Sequence, residues 1–175
     1  MKKVLLILLV VIGAVAVSLY CSYGDDANDG YDDGIYRDYY ENGQLKEEVN
    51  YNHGKREGIY RSYHENGQLR EEVSYVDDKA EGMYHNYYEN GKLAIEVNYK
   101  NGEEDGIEKT YYENGLLKSE VNYKDGKKEG IYHSYYENGQ LREEANFNHG
   151  ELDGVFNNYY EDGQLEEEGY YKENR

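Results

Sequence analysis

From Gly34 onward apolar and polar side chains alternate along the chain, and the alternation restarts every 24 residues. In the first unit Tyr36 and Tyr40 fall on one side of a run that places Arg37 and Tyr39 on the other. A second run carries Leu45, Val49 and Tyr51 in the same alternation. Period two is the signature of a strand with one face buried. A helix of useful length is excluded, because glycine interrupts every unit twice. Gly34, Gly58, Gly82, Gly106, Gly130 and Gly154 form one series at the 24-residue interval, and Gly43, Gly67, Gly91, Gly115, Gly139 and Gly163 form the other. Five of the second series stand in Glu-Asn-Gly and the last in Glu161-Asp162-Gly163.

Asn-Gly between two tyrosine- and valine-bearing runs predicts a β-hairpin, with both turn residues at positive φ. The expected strands are Ile35–Glu41 and Gln44–Tyr51, closed by a two-residue turn at Asn42-Gly43. The fold class that follows is all-β: an elongated single-layer antiparallel sheet of six stacked 24-residue hairpins, roughly 55 Å long. The repeats are 34–57, 58–81, 82–105, 106–129, 130–153 and 154–175.

A two-residue turn fixes the register. One face receives Tyr40 opposite Leu45, Tyr36 opposite Val49, and Gly34 beside Tyr51, interrupted by Asp38 and Glu47. The other receives Tyr39 opposite Lys46 and Arg37 opposite Glu48. The Glu48 position is glutamate in all six units, and such a row invites a catalytic or calcium reading. Its predicted partners argue for scaffolding instead. Arg37 faces Glu48, Arg61 faces Glu72 and Lys109 faces Glu120, and opposite charges across a ladder contribute roughly 0.2–1 kcal/mol a pair. Tyr39, Tyr63, Tyr87, Tyr111, Tyr135 and Tyr159 form a second invariant row, read as sheet packing and as a candidate interaction stripe. Lys46, Arg70, Lys118 and Arg142 are placed for cation–π contact with it. Asp78 replaces a turn glycine in one connection. The final strand carries Glu166, Glu167 and Glu168 and reads as an edge blunted against further pairing.

Composition changes the picture in two ways. The chain has 24 Tyr and 20 Gly but no Trp or Pro, so tyrosine must supply the burial that aliphatic residues usually provide. The formal net charge is −18, which repels phosphate backbones and anionic lipids and excludes nucleic acid as a partner.

Met1-Lys2-Lys3 followed by the apolar run Val4 to Leu19 has the form of an export signal or N-terminal anchor helix over 1–21. Either form places the repeats outside the cytoplasm, secreted, periplasmic or held at the outer side of the membrane by an uncleaved segment. Cys21 stands where a bacterial lipoprotein carries its lipidated cysteine. Tyr20 and Ser18 depart from the residues that such a signal requires, which disfavours lipidation. Residues 22–33 read as an acidic linker.

The unit from Gly58 to Leu69, ending in Tyr75, resembles the MORN repeat variant, named for membrane occupation and recognition nexus. The core of that repeat stands here as Tyr87-Tyr88-Glu89-Asn90-Gly91-Lys92-Leu93. The resemblance extends over 34–171, although the Gly-x-Gly spacing of the parent repeat is not kept. It implies a sheet that mediates protein or membrane contacts. Bacterial members are often labelled antitoxins of the YwqK type, and other MORN repeats accompany phosphatidylinositol-phosphate kinases. This chain has no Gly-rich phosphate loop or Asp-Phe-Gly motif to support a kinase reading.

No catalytic constellation emerges. His53 and His149 fall in turns, His64 takes a tyrosine position, and His85 and His133 face Glu96 and Glu144 two repeats apart, about 19 Å along the stack and beyond a shared metal. Asp77-Asp78 and Glu103-Glu104-Asp105 read as solvated turns rather than calcium sites. The sequence therefore predicts a non-enzymatic module with no cofactor and a protein partner. The antitoxin and lipid-associated readings stand as alternatives.

Overall fold

The computed structural model describes residues 32–172. The leader over 1–21 with Cys21, and all but the end of the linker over 22–33, lie outside the described residues. The rest is strand and turn. The strands are β1 (Gly34–Tyr39), β2 (Leu45–Asn52), β3 (Lys55–Arg56), β4 (Gly58–Tyr63), β5 (Leu69–Val76), β6 (Lys79–Tyr87) and β7 (Leu93–Lys100). They continue with β8 (Glu103–Glu104), β9 (Gly106–Tyr111), β10 (Leu117–Lys124), β11 (Lys127–Tyr135), β12 (Leu141–Asn148), β13 (Glu151–Tyr159) and β14 (Leu165–Tyr171). They form one open antiparallel sheet in sequential order, with β3 and β8 off the main path on β2 and β7.

The outer half of each hairpin has the expected register: Gly34 faces Tyr51, Tyr36 faces Val49, and Arg37 faces Glu48. Toward the turn the register differs. Tyr39 pairs with Leu45 rather than Lys46, and the shift recurs in all six hairpins. The cause is the loop. Gly43 alone takes positive φ, at 83°. Its N–H donates to the Tyr40 carbonyl, while the Tyr40 N–H donates to the Gln44 carbonyl. The loop thus has three residues ending in a left-handed glycine, and one residue of β2 is left over as a bulge. Asn42 favours this form because its Oδ1 accepts the Gln44 N–H at 2.9 Å, a local bond typical of asparagine in turns.

Turns with two positive φ values lie instead in the connections between hairpins. His53 and Gly54 take 52° and 74°, and Asp77 and Asp78 take 50° and 67°. Asp78 holds a left-handed conformation where the other connections have glycine, and Arg56 secures it through its backbone N–H (2.9 Å) and its Nε (3.1 Å).

Successive repeats are stapled at their hairpin ends. The hydroxyls of Tyr40, Tyr88, Tyr112 and Tyr136 donate to the carbonyls of Tyr63, Tyr111, Tyr135 and Tyr159 at 2.6–2.7 Å. His64 reaches the Tyr87 carbonyl through Nε2 at 2.8 Å, so histidine does the tyrosine's work in its repeat. Asn42, Asn66, Asn90 and Asn138 add amide donation to the carbonyls of Glu65, Glu89, Glu113 and Glu161. Tyr112→Phe removes one staple without changing shape. It is expected to cost about 1 kcal/mol, read as a lower urea midpoint at unchanged slope.

The core lies on one face of this single layer. Val49, Val73, Val97, Val121 and Ala145 are at most 4% exposed, and Ser62 and Ser134 are fully buried. Aromatic rings at flanking positions of the same face supply the missing second layer. Tyr60–Tyr75, Tyr84–Tyr99, Tyr132–Phe147 and Phe156–Tyr171 meet edge to face, with centroids 6.0–6.3 Å apart.

Candidate binding faces

The opposite face carries three parallel rows. Nearest the hairpin turns lies the tyrosine stripe. Its cation–π partners are absent, because the bulge turns the basic residues onto the valine face. There Lys46 meets Asp38 at 2.8 Å, and Arg70 and Arg142 reach the hydroxyls of Ser62 and Ser134 at 3.2 Å. The tyrosines turn back onto the glutamate row instead. Tyr111 donates to Glu96 Oε1 at 2.7 Å and Tyr135 to Glu120 Oε1 at 3.5 Å. Burial, followed by the Glu96 carboxylate, pushes the Tyr111 pKa up to about 12. Tyr87 and Tyr135 shift the same way, again mainly through burial. Tyr63, Tyr87, Tyr111, Tyr135 and Tyr159 are half-buried, whereas Tyr39 is exposed.

The charged row is partly closed by ion pairs. Arg37 Nη2 lies 2.5 Å from Glu48 Oε2, and Arg61 Nε lies 2.6 Å from Glu72 Oε2. Lys109 stands opposite Glu120 in the ladder, but it is His133 that contacts this carboxylate. His133 bridges repeats, with Nδ1 3.7 Å from Glu120 and Nε2 3.2 Å from Glu144. Most of this row is thereby occupied with holding neighbouring strands together.

The third row was not singled out from the sequence. Ile35, Ile59, Met83, Ile107, Ile131 and Val155 follow the first glycine of each repeat and are 44–59% exposed. In their own hairpins they face Asn50, Ser74, Asn98, Asn122, Asn146 and Tyr170. Neighbouring members are two strands apart, about 10 Å. An isolated exposed isoleucine means little, but here six apolar residues align on a face that is otherwise largely polar. Its signal was available in the alternation: period two puts the residue after Gly34 on the same side as Arg37 and Tyr39, where an apolar residue has no core to fill.

On the valine face an open groove of about 880 Å³ includes Glu71, Ala80, Tyr84, Tyr99, Glu104 and Glu108 in its lining. Burial, then Glu71, pushes the Tyr84 pKa up to about 12. Burial also raises Glu108, with Glu104 adding in the same sense and Lys128 opposing. Glu108 stands where other repeats have Tyr or Phe, a departure visible in the sequence once the copies are aligned.

The acidic turns are engaged by the chain's own bases. Lys55 approaches Asp77 and Arg56 approaches Asp78 at 3.1 Å, and Lys124 approaches Asp105 at 2.9 Å. Bonds from the Arg56 backbone and then its side chain hold Asp78 below the usual carboxylate range, and the Lys124 bond does so for Asp105. Among the described residues no group of three or more His, Cys, Asp or Glu is placed to hold a metal ion.

The model of the MORN repeat variant family matches six segments: residues 32–53, 56–77, 80–101, 104–125, 128–149 and 152–173. No curated protein matches the chain.

Proposed function

We propose, from the premise that this chain belongs to the MORN repeat variant family, that it is a non-enzymatic protein-binding scaffold working outside the cytoplasm at the cell envelope. The observation that carries the reading is the exposed aliphatic row Ile35, Ile59, Met83, Ile107, Ile131 and Val155. One continuous sheet presents these six groups at regular spacing between largely polar positions. A protein face offering apolar side chains at the same pitch would bury them together, with nearby asparagines and charged pairs setting orientation. The envelope setting rests on the basic and apolar leader. The net charge of −18 supports a protein partner over nucleic acid or an anionic membrane. The non-enzymatic reading rests on the titratable rows, whose members are largely engaged in cross-strand and inter-repeat contacts. No geometric feature favours the antitoxin or lipid-associated reading over this one.

The test is capture of a partner from native envelopes by the wild-type chain and by an Ile59→Thr/Ile107→Thr/Ile131→Thr variant. Threonine keeps the strand preference at exposed positions, so the fold is expected to survive. The variant is expected to bind the captured partner at least about tenfold more weakly. Equal capture by both chains would sink the reading.

A further inference from the structure

At each boundary between repeats one residue of the valine face pairs with the last aromatic residue of the repeat before it. These are Arg56, Ala80, Glu104, Lys128 and Leu152, at 24-residue intervals. Two of them are cations lying on rings. The Arg56 guanidinium is 3.9 Å from the Tyr75 centroid, and the Lys128 ammonium is 5.1 Å from both Tyr132 and Phe147. The array thus shows, with its own residues, what its aromatic pairs accept.

Between these two seats lies one without a resident cation. Ala80 offers only a methyl group beside the Tyr84–Tyr99 pair, whose rings meet at 6.0 Å and 75°. The next boundary position reverses the charge to Glu104, and the following aromatic position holds Glu108. Tyr99 donates to Glu104 Oε1 at 3.3 Å, which orients that carboxylate beside the ring. The groove lining includes five carboxylates (Glu71, Asp78, Glu103, Glu104 and Glu108) against two bases, Arg56 and Lys79. Arg56 is already engaged with Asp78 and the Tyr75 ring. Burial and then Glu104 raise the pKa of Glu108 while Lys128 opposes them, and a further cation in the groove would act in the same sense as Lys128.

We infer that the groove over Tyr84 and Tyr99 seats an arginine side chain of a protein partner, with its guanidinium on the rings and Glu104 and Glu108 as counter-ions. Arginine is favoured over lysine because a planar, weakly hydrated guanidinium stacks on a ring and bonds carboxylates in the same pose. The resident Arg56 makes the closest cation–ring approach in the molecule's described part. A peptide is favoured over a free amine because the groove lies open along the sheet and the strongly acidic chain complements a basic segment. This inference rests on the protein-binding reading above and supplies the chemistry of one contact.

The test is titration of the full chain with a blocked Gly-Gly-Arg-Gly-Gly peptide, followed through the Tyr84 and Tyr99 ring resonances. The matching citrulline peptide keeps the shape and removes the charge, and agmatine supplies the guanidinium without a peptide. The arginine peptide is expected to bind at least about tenfold more tightly than the citrulline peptide. Ala80→Arg, which places a resident guanidinium as Arg56 does, and Glu108→Tyr, which restores the ring of the other repeats, are each expected to reduce binding about tenfold in a folded chain. Equal binding of the citrulline peptide overturns the inference, and so does undiminished binding by Ala80→Arg. Agmatine binding more tightly than the peptide would overturn the assignment to a protein partner. The aliphatic row takes no part in this measurement, so failure here leaves the capture experiment to be judged separately.

Discussion

Val97→Asp is expected to remove at least about 3 kcal/mol of stability and to split the array at its middle. Val97 is 1% exposed, the least accessible of the core valines. It lies on β7 opposite Tyr84 and two residues from Tyr99. A carboxylate there would be buried beside Glu71 and Glu108, which line the same groove. The consequence spreads by topology. Strands pair in sequential order, so each repeat is supported by its immediate neighbours, and a stack of this kind behaves nearly as a one-dimensional chain. Loss of the third repeat leaves two separate halves rather than one loosened whole. Urea unfolding should show a lowered midpoint or two transitions, and amide exchange should be fastest around β6 to β9. An unchanged midpoint would mean that the valine row is not the core.

The outer half of every hairpin was legible because glycine spacing and alternation constrain it redundantly. Gly34, Tyr36 and Arg37 face Tyr51, Val49 and Glu48, as the period-two pattern requires. The hairpin end was not legible, for a specific reason. Asn-Gly is compatible with a two-residue turn and with a three-residue loop. The same three-residue loop forms around Asp162 in the last hairpin, where no repeat follows among the described residues, so the bond from the residue after the glycine to the Asn or Asp side chain goes with it. Asn42 also donates to the Glu65 carbonyl in the next repeat, a stacking bond that the loop form does not require. The one-residue difference moves Lys46 to the other face, and with it the supposed cation–π partner of Tyr39.

The binding faces were legible to a different degree. Invariance within the repeats drew attention to the tyrosine and glutamate rows, yet invariance also marks what a repeat needs for its own assembly. Tyr111 on Glu96 and Arg61 on Glu72 are contacts of that kind. The aliphatic row is equally regular but faces solvent, and its meaning came from exposure. The groove is the opposite case. Glu108 breaks the Tyr or Phe row of its position, whereas Ala80 belongs to a variable position and acquires sense only when Arg56 and Lys128 are seen lying on rings.

Glu108→Tyr is expected to stabilise the fold by about 1–2 kcal/mol near neutral pH, although it removes a groove residue. The substitution restores an aromatic partner for Tyr123, as in the Tyr84–Tyr99 and Tyr132–Phe147 pairs, and an edge-to-face pair contributes about 0.5–1.5 kcal/mol beyond its buried area. It also removes a part-buried carboxylate. The gain should depend on pH with a defined sign. Burial, then Glu104, raises the Glu108 pKa in the folded chain, so the folded state holds this proton more tightly than the unfolded one. The stabilising contribution of Glu108 is therefore fully present below the unfolded value, about 4.3, and is lost as pH rises through the folded value above it. The advantage of the tyrosine variant should be smallest at the acid end of that window and should grow to a plateau once Glu108 is ionised in both states. Asp38, Asp78 and Asp105 have lowered pKa values and act in the opposite sense, but both chains carry them and their effects cancel in the difference. Urea midpoints of the two chains across this pH range make the measurement. A difference that is constant with pH would show that the buried carboxylate is not its source. A rising difference would mean that the natural chain keeps, at a groove open to a partner, a charge that its own fold disfavours, which is where a binding site and a local structural rule are expected to disagree.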